Sequence, residues 1–427
     1  MLRNLLIALS ILLVTVSARC VEGSKTLVLY DERLTTINDY SIMFNSMKER
    51  KYKLDFVSVA NETATVSLFD GDHRLYDNVV VFPLKGKGLN KYLGVKSLLK
   101  FSKNGGSMLT ISSPDGLADS IRLFLNQLGI YPSPKDYKLT DNFQEKSDSF
   151  EVASSRVRNE FIYNSEEDTF LFANSSVALL DNREQVLPVL PAPRTSLCYG
   201  KADNIWAAGS QTYMVAAFQA LNNGRVTWIG STELLKDSNS HANGHFVEEL
   251  VKWTFKEKAV IKITGHGHSH IDGTSYELAP YKIKDVIQYN IGLSQWNGEE
   301  WQPYEADDVQ LELKMIDPYY RLNLVRGKKE NITRWYTTGD FRLPDHHGVF
   351  TFQVDYKRAG LTFVSVSDAK AIRHLAHDEY PRSWEITNAG VYLSGIFAVI
   401  FAWIIFVIFF VSTSKVSKSI NAEKKNN

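Results

Sequence analysis

Asn78-Val79-Val80-Val81-Phe82 is the stretch of sequence that decides the fold of the first part of the chain. Because successive side chains point to opposite faces of a strand, an unbroken apolar run predicts a strand that is buried on both faces. Further strands are predicted at residues 26–30, 54–59, 108–111 and 225–230. A sheet made of such strands is typical of α/β proteins, in which helices cover both sides.

Helical patterns lie between these runs. Apolar residues spaced three to four apart predict helices through Tyr40, Phe44 and Met47 and over residues 95–101, 117–128 and 245–255. Strands that alternate with helices form parallel sheets through crossover connections. We therefore expect an α/β domain with a parallel sheet over residues 24–258.

The pattern changes after residue 258. Apolar residues at every second position are Val309, Leu311, Leu313 and Met315, and later Phe350, Phe352, Val354 and Tyr356. Alternation with a period of two, bounded by turn residues, predicts antiparallel strands that bury one face. We expect a β-sandwich domain over residues 259–375.

The N-terminus has the form of a secretory signal peptide. Arg3 precedes an apolar run over residues 5–16, and the small residues Ser17 and Ala18 follow it. The run is shorter than the ~20 residues that a membrane span requires. The sequence predicts a signal peptide within residues 1–20, cleaved after Ala18 or Cys20. The alternative is a buried N-terminal helix.

A membrane span is predicted over residues 389–411, which contain no charged residue. Lysines follow the span, so the tail, residues 412–427, is expected in the cytosol and the N-terminal part in the lumen. Lys424 and Lys425 stand fourth and third from the C-terminus, as in a di-lysine retrieval signal of the endoplasmic reticulum. An ordinary basic tail is the alternative. The sequence thus predicts a type I single-pass protein of the endoplasmic reticulum membrane.

The predicted span carries small residues at intervals of four: Gly390, Ser394, Ala398 and Ala402. Small residues on one face of a helix let another helix approach closely in lipid. The stripe is therefore a candidate packing surface, unless it arises by chance in a segment rich in small residues.

Composition excludes some functions and leaves others open. The formal net charge is zero over 427 residues, so there is no electrostatic reason to expect nucleic acid as a partner. With only two cysteines, Cys20 and Cys198, the fold does not depend on a disulfide framework. The sequons at Asn61, Asn174 and Asn331 are candidate N-glycosylation sites in the predicted lumenal part.

Two short motifs contain possible metal ligands. Asp70-Gly71-Asp72 resembles the Asp-x-Asp by which many sugar transferases hold a divalent cation, but it also suits a polar turn. His266, His268 and His270 alternate and could bind a transition metal from one face of a strand. We expect a solvated Gly/Ser/His loop at the interdomain junction instead, and predict no metal and no cofactor.

The predicted strand ends offer no catalytic set. They read Asp31-Glu32, residues 83–88 with Lys85 and Lys87, and Ser112-Ser113-Pro114. The Lys/Gly stretch lacks the spacing of a phosphate-binding loop, and no Gly-x-Ser-x-Gly motif occurs.

Longer stretches of the chain carry a family resemblance. They are residues 25–31, 75–83, 121–126, 253–258, 308–312, 317–321, 348–352 and 379–385. In these stretches, and in its signal peptide, span and di-lysine tail, the chain resembles the 48-kDa-type subunit of eukaryotic oligosaccharyltransferase in its fungal form. The resemblance implies an α/β domain of the class I amidotransferase-like, flavodoxin-like type. The nucleophilic cysteine of those amidotransferases is missing, since Ser112-Ser113-Pro114 stands near the expected turn.

The resemblance also implies a function. The complex transfers a preassembled glycan from dolichyl diphosphate to Asn in Asn-x-Ser/Thr of nascent chains, and its transferase site lies in another, many-span subunit marked by Trp-Trp-Asp. This chain has no Trp-Trp pair, so it is expected to be a non-catalytic, integral subunit. The implied partners are the catalytic many-span subunit, a ribophorin-II-type subunit, a small defender-against-death-type subunit and membrane lipids.

Two other functions remain open from the sequence. The chain could be a glycosyltransferase in its own right, or a lumenal receptor for glycans or peptides. Glycan binding predicts exposed aromatic residues beside carboxylates, and residues 296–301 contain Trp296, Glu299, Glu300 and Trp301. The same tryptophans could equally be buried by strands.

Overall fold

A computed structural model describes residues 20–59, 66–85, 93–141, 143, 149–165, 168–200, 204–380 and 388–423. Residues 1–19 of the predicted signal peptide, Asn61, and the lysines Lys424 and Lys425 lie outside the described residues. The chain divides into the units Met1–Ile372 and Arg373–Asn427. The first unit contains an α/β region followed by a β-rich region.

The elements of the α/β region include the predicted strands and helices in the predicted order, with further strands between them. They are β1 (Lys25–Tyr30), α1 (Ser41–Glu49), β2 (Lys53–Ser58), β3 (Phe69–Asp70), β4 (His73–Arg74), β5 (Asn78–Val81), α2 (Val95–Lys103), β6 (Ser107–Ile111), α3 (Asp119–Leu128), β7 (Ile130–Pro132), β8 (Lys138–Asp141), β9 (Ser149–Ala153), β10 (Thr169–Ala173), β11 (Ala178–Leu180), β12 (Val186–Pro191), β13 (Ser196–Tyr199), β14 (Ile205–Ala208), β15 (Tyr213–Gln219), β16 (Arg225–Ile229) and α4 (Ser240–Thr254). Short 3-10 helices lie at Ile37–Tyr40, Ser154–Arg156, Gly209–Gln211, Glu233–Leu235 and Asp237–Asn239.

The main sheet has the strand order β2-β1-β5-β6-β16-β15-β11-β7, with β12 also paired to β15. The strands from β2 to β16 are parallel, as predicted. From β16 onward the sheet continues with antiparallel strands. The expectation of a parallel sheet is therefore correct for the first strands only, and the sheet is mixed. The connection between β15 and β16, residues 220–224, is too short for a crossover helix, and antiparallel neighbours need none.

Helices cover both faces of this sheet. On one face, Val28 and Val80 pack in a buried cluster that includes Phe44 of α1 and Phe246 of α4. On the other, a cluster with Leu27 and Val79 includes residues of α2 and α3. Alternate residues of one strand thus enter opposite clusters, which is why the apolar run at residues 78–82 has no polar interruption.

Smaller sheets made by residues 138–208 lie beside the main sheet. Strand β8 pairs with β13, which pairs with β14, and β9 pairs with β10. Each strand is only four or five residues long. These strands are not predicted by the sequence pattern.

The β-rich region consists of antiparallel strands: β17 (Val260–His270), β18 (Val286–Trp296), β19 (Trp301–Pro303), β20 (Gln310–Lys314), β21 (Pro318–Asn323), β22 (Val325–Lys329), β23 (Arg334–Thr337), β24 (Phe341–Arg342), β25 (Gly348–Tyr356) and β26 (Val364–Ile372). One sheet has the order β17-β18-β23-β22, and another has the order β21-β20-β25-β26. Buried residues of both sheets form a single apolar cluster.

The alternating residues behave as predicted with one exception. Leu311, Leu313, Phe350 and Phe352 are fully buried. Met315 is 40% exposed, because β20 ends at Lys314 after an irregularity in its pairing with β21. The alternation of buried residues therefore ends at Leu313, whereas the sequence pattern continues to Met315.

The turn between β25 and β26 joins the β-rich region to the α/β region. The Trp253 indole N–H donates to the Gly360 carbonyl at 2.7 Å, and the Gln219 amide donates to the Leu361 carbonyl at 2.6 Å. Asn223 makes paired hydrogen bonds with the backbone of Phe363, at 3.0 and 2.6 Å. This turn is thus held by buried, specific hydrogen bonds.

The second unit contains α5, Ala389–Glu423. Its first part, Ala389–Thr413, has a mean hydropathy of 2.8 and is the helix among the described residues that is long and apolar enough to cross a membrane. This agrees with the span predicted at residues 389–411.

Candidate functional site

The carboxyl ends of the parallel strands meet at one edge of the main sheet, where open α/β sheets bind ligands. Asp31 follows β1 there and is fully buried. Its carboxylate accepts hydrogen bonds from the Arg33 guanidinium at 2.9 Å and from the Lys85 backbone N–H at 3.2 Å. Burial acts to raise the pKa of Asp31, but these hydrogen bonds outweigh it and hold the pKa below its usual value. Asp31 therefore stays ionised and serves to bind the β1 and β5 ends together.

Ser112 directly follows β6, near the turn at which a nucleophile is expected. Its side chain is 1% exposed, and its hydroxyl lies 2.9 Å from the Ser176 hydroxyl. Ser176 in turn donates to the Gly230 carbonyl at 3.0 Å. A nucleophilic serine requires a general base that takes its proton, whereas Ser112 contacts another hydroxyl and the Ile229 carbonyl. The arrangement closes the sheet edge and does not activate Ser112.

Little space remains at this edge. The cavity beside Ser112, Ser113 and Arg122 has a volume of about 10 Å³, which is about the space of one water molecule. The Arg122 guanidinium points to the Pro132 and Ser133 carbonyls, at 2.9 and 2.8 Å. Beside Ser112, the described part of the chain thus leaves space for about one water molecule.

The Asp-Gly-Asp motif forms the turn of a hairpin. Strands β3 and β4 pair through Asp70 and His73, and Gly71 has a positive φ of 60°. Asp72 pairs with Lys100 at 2.9 Å, and this hydrogen bond lowers the pKa of Asp72. This geometry matches the interpretation of Asp70-Gly71-Asp72 as a polar turn. Among the described residues, no three His, Cys, Asp or Glu side chains are grouped as a metal site.

The three histidines lie on a strand, so the expectation of a solvated loop is wrong. They belong to β17, which pairs with β18 over its whole length. The loop prediction was wrong because Gly and Ser alternate with the histidines, and these residues are also common in loops. The His268 side chain is 5% exposed, with its ring nitrogens 2.7 Å from the Tyr281 hydroxyl and 3.0 Å from Asp368. His270 instead contacts the Ala279 carbonyl at 3.0 Å, and His266 is exposed.

The tryptophans of the possible glycan site are brought together. Trp296 and Trp301 face each other across β18 and β19, with ring centroids 5.4 Å apart. Both are half-buried, and the Lys262 ammonium lies 3.8 Å from the Trp301 ring centre. A cleft of about 300 Å³ lies nearby, between α4 and a turn that includes Glu299. A sugar ring stacking on that face of Trp301 would have to displace Lys262.

The sequons that the structure describes differ in exposure. Asn331 is exposed between β22 and β23, while the Thr333 hydroxyl turns inward to Thr264 at 3.1 Å. Asn174 is half-buried with a φ of 43°, and Ser176 of its sequon belongs to the closed sheet edge. Asn61 lies outside the described residues.

The small residues Gly390, Ser394, Ala398 and Ala402 all lie on α5, where residues four apart share a face. The Ser394 hydroxyl donates to the Val391 carbonyl at 2.8 Å. Its polar group is therefore satisfied inside the helix, which leaves the stripe small and largely apolar.

The structure also contains buried charged residues that the sequence pattern does not predict. Arg50 and Glu257 are each 3% exposed and pair at 2.6 Å, with the Tyr52 hydroxyl donating to the same carboxylate at 2.7 Å. Arg225 donates to the carbonyls of Trp253 and Ala259, at 2.7 and 2.6 Å. Their local sequence gives no signal, because the partners lie far apart along the chain.

Family models match most of the chain. Residues 17–257 match the family model "OST48, N-terminal domain", and residues 268–414 match "OST48 middle domain". A solved structure described as the mmIFT52 N-terminal domain covers 54% of this chain and 97% of its own, with a TM-score of 0.40 and 14% identity.

Two relatives align over most of the chain. The subunit WBP1 of dolichyl-diphosphooligosaccharide–protein glycosyltransferase from Saccharomyces cerevisiae is 51% identical, over 95% of each chain. The subunit wbp1 from Schizosaccharomyces pombe is 31% identical, over 87% of this chain and 88% of its own. On these matches, which run from the α/β region into the membrane helix, the chain belongs to the OST48 family.

Proposed function

We propose that the chain is a non-catalytic, integral subunit of the oligosaccharyltransferase complex, which transfers a preassembled glycan from dolichyl diphosphate to Asn in Asn-x-Ser/Thr. The observation that carries this proposal is the 51% identity, over 95% of each chain, to a subunit of that enzyme. Its role is assembly and stability of the complex, together with positioning of the substrate.

The closed sheet edge supports a non-catalytic role. Asp31 is held by Arg33 and Lys85, Ser112 is hydrogen-bonded to Ser176, and Asp72 is paired with Lys100. Asp31, Ser112 and Asp72 are thus engaged in contacts within the fold. The transferase site belongs to another subunit, the many-span catalytic one. A ribophorin-II-type and a small defender-against-death-type subunit complete the proposed set of partners.

The finer organisation is also proposed. Residues 24–258 form a lumenal domain of the amidotransferase-like, flavodoxin-like type, and residues 259–375 form a lumenal β-sandwich. The mixed sheet with helices on both faces and the single core shared by two antiparallel sheets support this division. Residues 389–411 cross the endoplasmic reticulum membrane, with the N-terminus in the lumen, residues 412–427 in the cytosol, and Lys424 and Lys425 as the retrieval signal.

Burial supports specific processing sites. Cys20 is 6% exposed and its thiol donates to the Phe255 carbonyl at 2.8 Å, which favours signal cleavage after Ala18 over cleavage after Cys20. Asn331 is exposed and Asn174 is half-buried, so Asn331 is favoured over Asn174 as a glycan acceptor. Asn61 remains a proposed acceptor.

The test separates assembly from chemistry. Membranes depleted of this chain and supplied with Ser112→Ala, or with Asp70→Asn plus Asp72→Asn, should transfer glycan to an acceptor peptide within a few-fold of the unmodified chain. Recovery of the other subunits is measured alongside. A loss of about a thousandfold in a fully assembled complex would show a catalytic role, because it corresponds to ~4 kcal/mol of transition-state stabilisation.

A second function, a lumenal receptor for glycans, is supported by the Trp296–Trp301 pair beside its cleft. It predicts that Trp301→Ala abolishes binding of the full-length chain to immobilised glycan while the complex still assembles. If the unmodified chain did not bind glycan, the receptor proposal would be refuted and the subunit proposal would remain.

A further inference from the structure

Apolar side chains are exposed at one end of the β-rich region. We call Ile271, Leu278, Met315, Ile316 and Val349 the apolar rim. Ile316 is 88% exposed and Leu278 is 81% exposed, and these are the most exposed aliphatic side chains that the structure describes. Turns usually place polar residues in water, so apolar tips at this end require another explanation.

The strand register places the rim beside the end of β26. Val349 pairs with Ala371, and Gly348 pairs with Ile372. Met315 lies next to Gly348, since its sulfur would be 2.9 Å from a Cβ atom at that glycine. Rim residues from β25 and from the turn after β20 therefore surround the point at which the chain leaves the first unit.

The loop that carries Ile271 and Leu278 reaches the same place. The Tyr276 hydroxyl donates to the Ala371 carbonyl at 3.2 Å, and Glu277 pairs with Lys370 at 3.2 Å. Leu278 follows directly. Side chains from separate parts of the sequence thus converge on one end of the sheet.

The opposite end of the same strands is occupied. There the turn with Gly360 and Leu361 is buried against the α/β region through Trp253 and Gln219. Strands β25 and β26 are nine residues long, which corresponds to about 30 Å. The rim therefore faces away from the α/β region and is not covered by it.

We propose that the apolar rim contacts the headgroup region of the membrane that α5 crosses. The proposal rests on the anchoring stated under the proposed function. Sixteen residues separate the rim end of β26 at Ile372 from the start of α5 at Ala389, and sixteen residues can extend over at most ~55 Å. Exposed apolar patches mark membrane or protein contacts. Tyr319, 40% exposed beside the rim, is of the type enriched at membrane interfaces.

Spin labelling of the full-length chain within its complex tests the proposal. Leu278→Cys and Ile316→Cys carry the label in nanodiscs of phosphatidylcholine and phosphatidylethanolamine, and Leu221→Cys, at a 65% exposed position of the α/β region, is the matched control. The native thiols Cys20 and Cys198 are buried. Collision rates are measured with oxygen, which partitions into lipid, and with a water-soluble nickel chelate.

The rim labels should show an oxygen-to-nickel collision ratio raised severalfold over the Leu221→Cys label. A ratio equal to that of the control would overturn the proposal, because the rim would then lie in water. Protection from both reagents would overturn it as well and would assign the rim to a protein partner. Extraction with alkaline carbonate distinguishes failure of the membrane anchor from failure of the rim contact. Release of the unmodified chain from the membrane would refute the anchor. Retention of the chain together with water-exposed labels would refute only the contact of the rim with the membrane.

Discussion

His268 shows at the residue scale how a tertiary setting changes a side chain's role. The neutral tautomer with its proton on Nε2 donates to Asp368 and accepts from the Tyr281 hydroxyl, and the ring stacks on Phe352 at 4.7 Å. Burial lowers the pKa of His268 below its ordinary 6.5, although Asp368 acts in the opposite direction. A histidine with both nitrogens occupied by protein partners holds two sheets together and is not available as a metal ligand.

The lowered pKa predicts a pH dependence of stability. Below pH 6.5 the unfolded chain binds a proton at this histidine while the folded chain does not yet. The free energy of unfolding therefore falls as the pH decreases from 6.5 to the lowered pKa, by at most ~1.4 kcal/mol per pH unit from this group. His268→Gln, which keeps a donor and an acceptor, should make the acid decline shallower.

The measurement is the urea midpoint of the detergent-solubilised chain between pH 7.5 and pH 5. His266→Gln, an exposed position on the same strand, is the control and should follow the unmodified chain. If His268→Gln retained the full acid decline, the proton uptake would have to be assigned to other groups.

Helix α5 is the element whose surface is open to partners. Its first part, Ala389–Thr413, has 25 residues, which at 1.5 Å per residue gives about 37 Å, enough to span a bilayer with some tilt. Helices associate in lipid by close packing, since lipid tails are as apolar as leucine. We propose the stripe of Gly390, Ser394, Ala398 and Ala402 as the face of α5 that allows this approach.

Ala398→Leu should therefore weaken assembly without affecting insertion. Added bulk at the centre of the stripe costs about 1–3 kcal/mol in a close contact, and this shifts an association equilibrium about tenfold or more. Recovery of the other subunits with the tagged chain in mild detergent measures the effect. Ile400→Leu, off the stripe, should recover them fully, and equal recovery for both variants would mean that the stripe does not mediate assembly.

At the scale of the whole first unit, the turn between β25 and β26 contacts the α/β region. Gly360 has a φ of 90°, and a Cβ atom there would lie 2.5 Å from the Asn159 side-chain oxygen. Asn159 itself donates to the Ala359 carbonyl at 2.9 Å. The α/β and β-rich regions thus meet where a glycine permits a close approach, and a side chain at position 360 would disturb their contact.

Gly360→Ala should destabilise the first unit more than Gly339→Ala does. Both glycines have a positive φ, which costs on the order of 1–3 kcal/mol for a residue with a side chain. At Gly339 no atom lies within 4 Å of the Cβ position, so that variant reports the backbone strain alone. Urea midpoints of the two variants are compared with that of the unmodified chain. Equal losses would indicate that the contact with Asn159 adjusts without cost.

The sequence by itself determined those strands, helices and buried faces that depend on local periodicity. The strands at residues 26–30 and 78–82, the helices around Phe44 and Phe124, and the apolar span are all visible as runs or spacings of neighbouring residues. The exposed and buried faces of β25 follow from alternation in the same way. These features persist because burial of a face is decided residue by residue along one element.

Only the tertiary structure decided the features that join distant residues. Ser176 closes the sheet edge over Ser112 from 64 positions away, and Arg50 meets Glu257 across 207 positions. The histidine motif became a strand because β18 was available to pair with it. The sheet also turned antiparallel after β16, since the identity of a strand's neighbour is set by chain return and packing. Hydrogen-bond partners and strand neighbours depend on three-dimensional proximity, which no local pattern of residue types encodes.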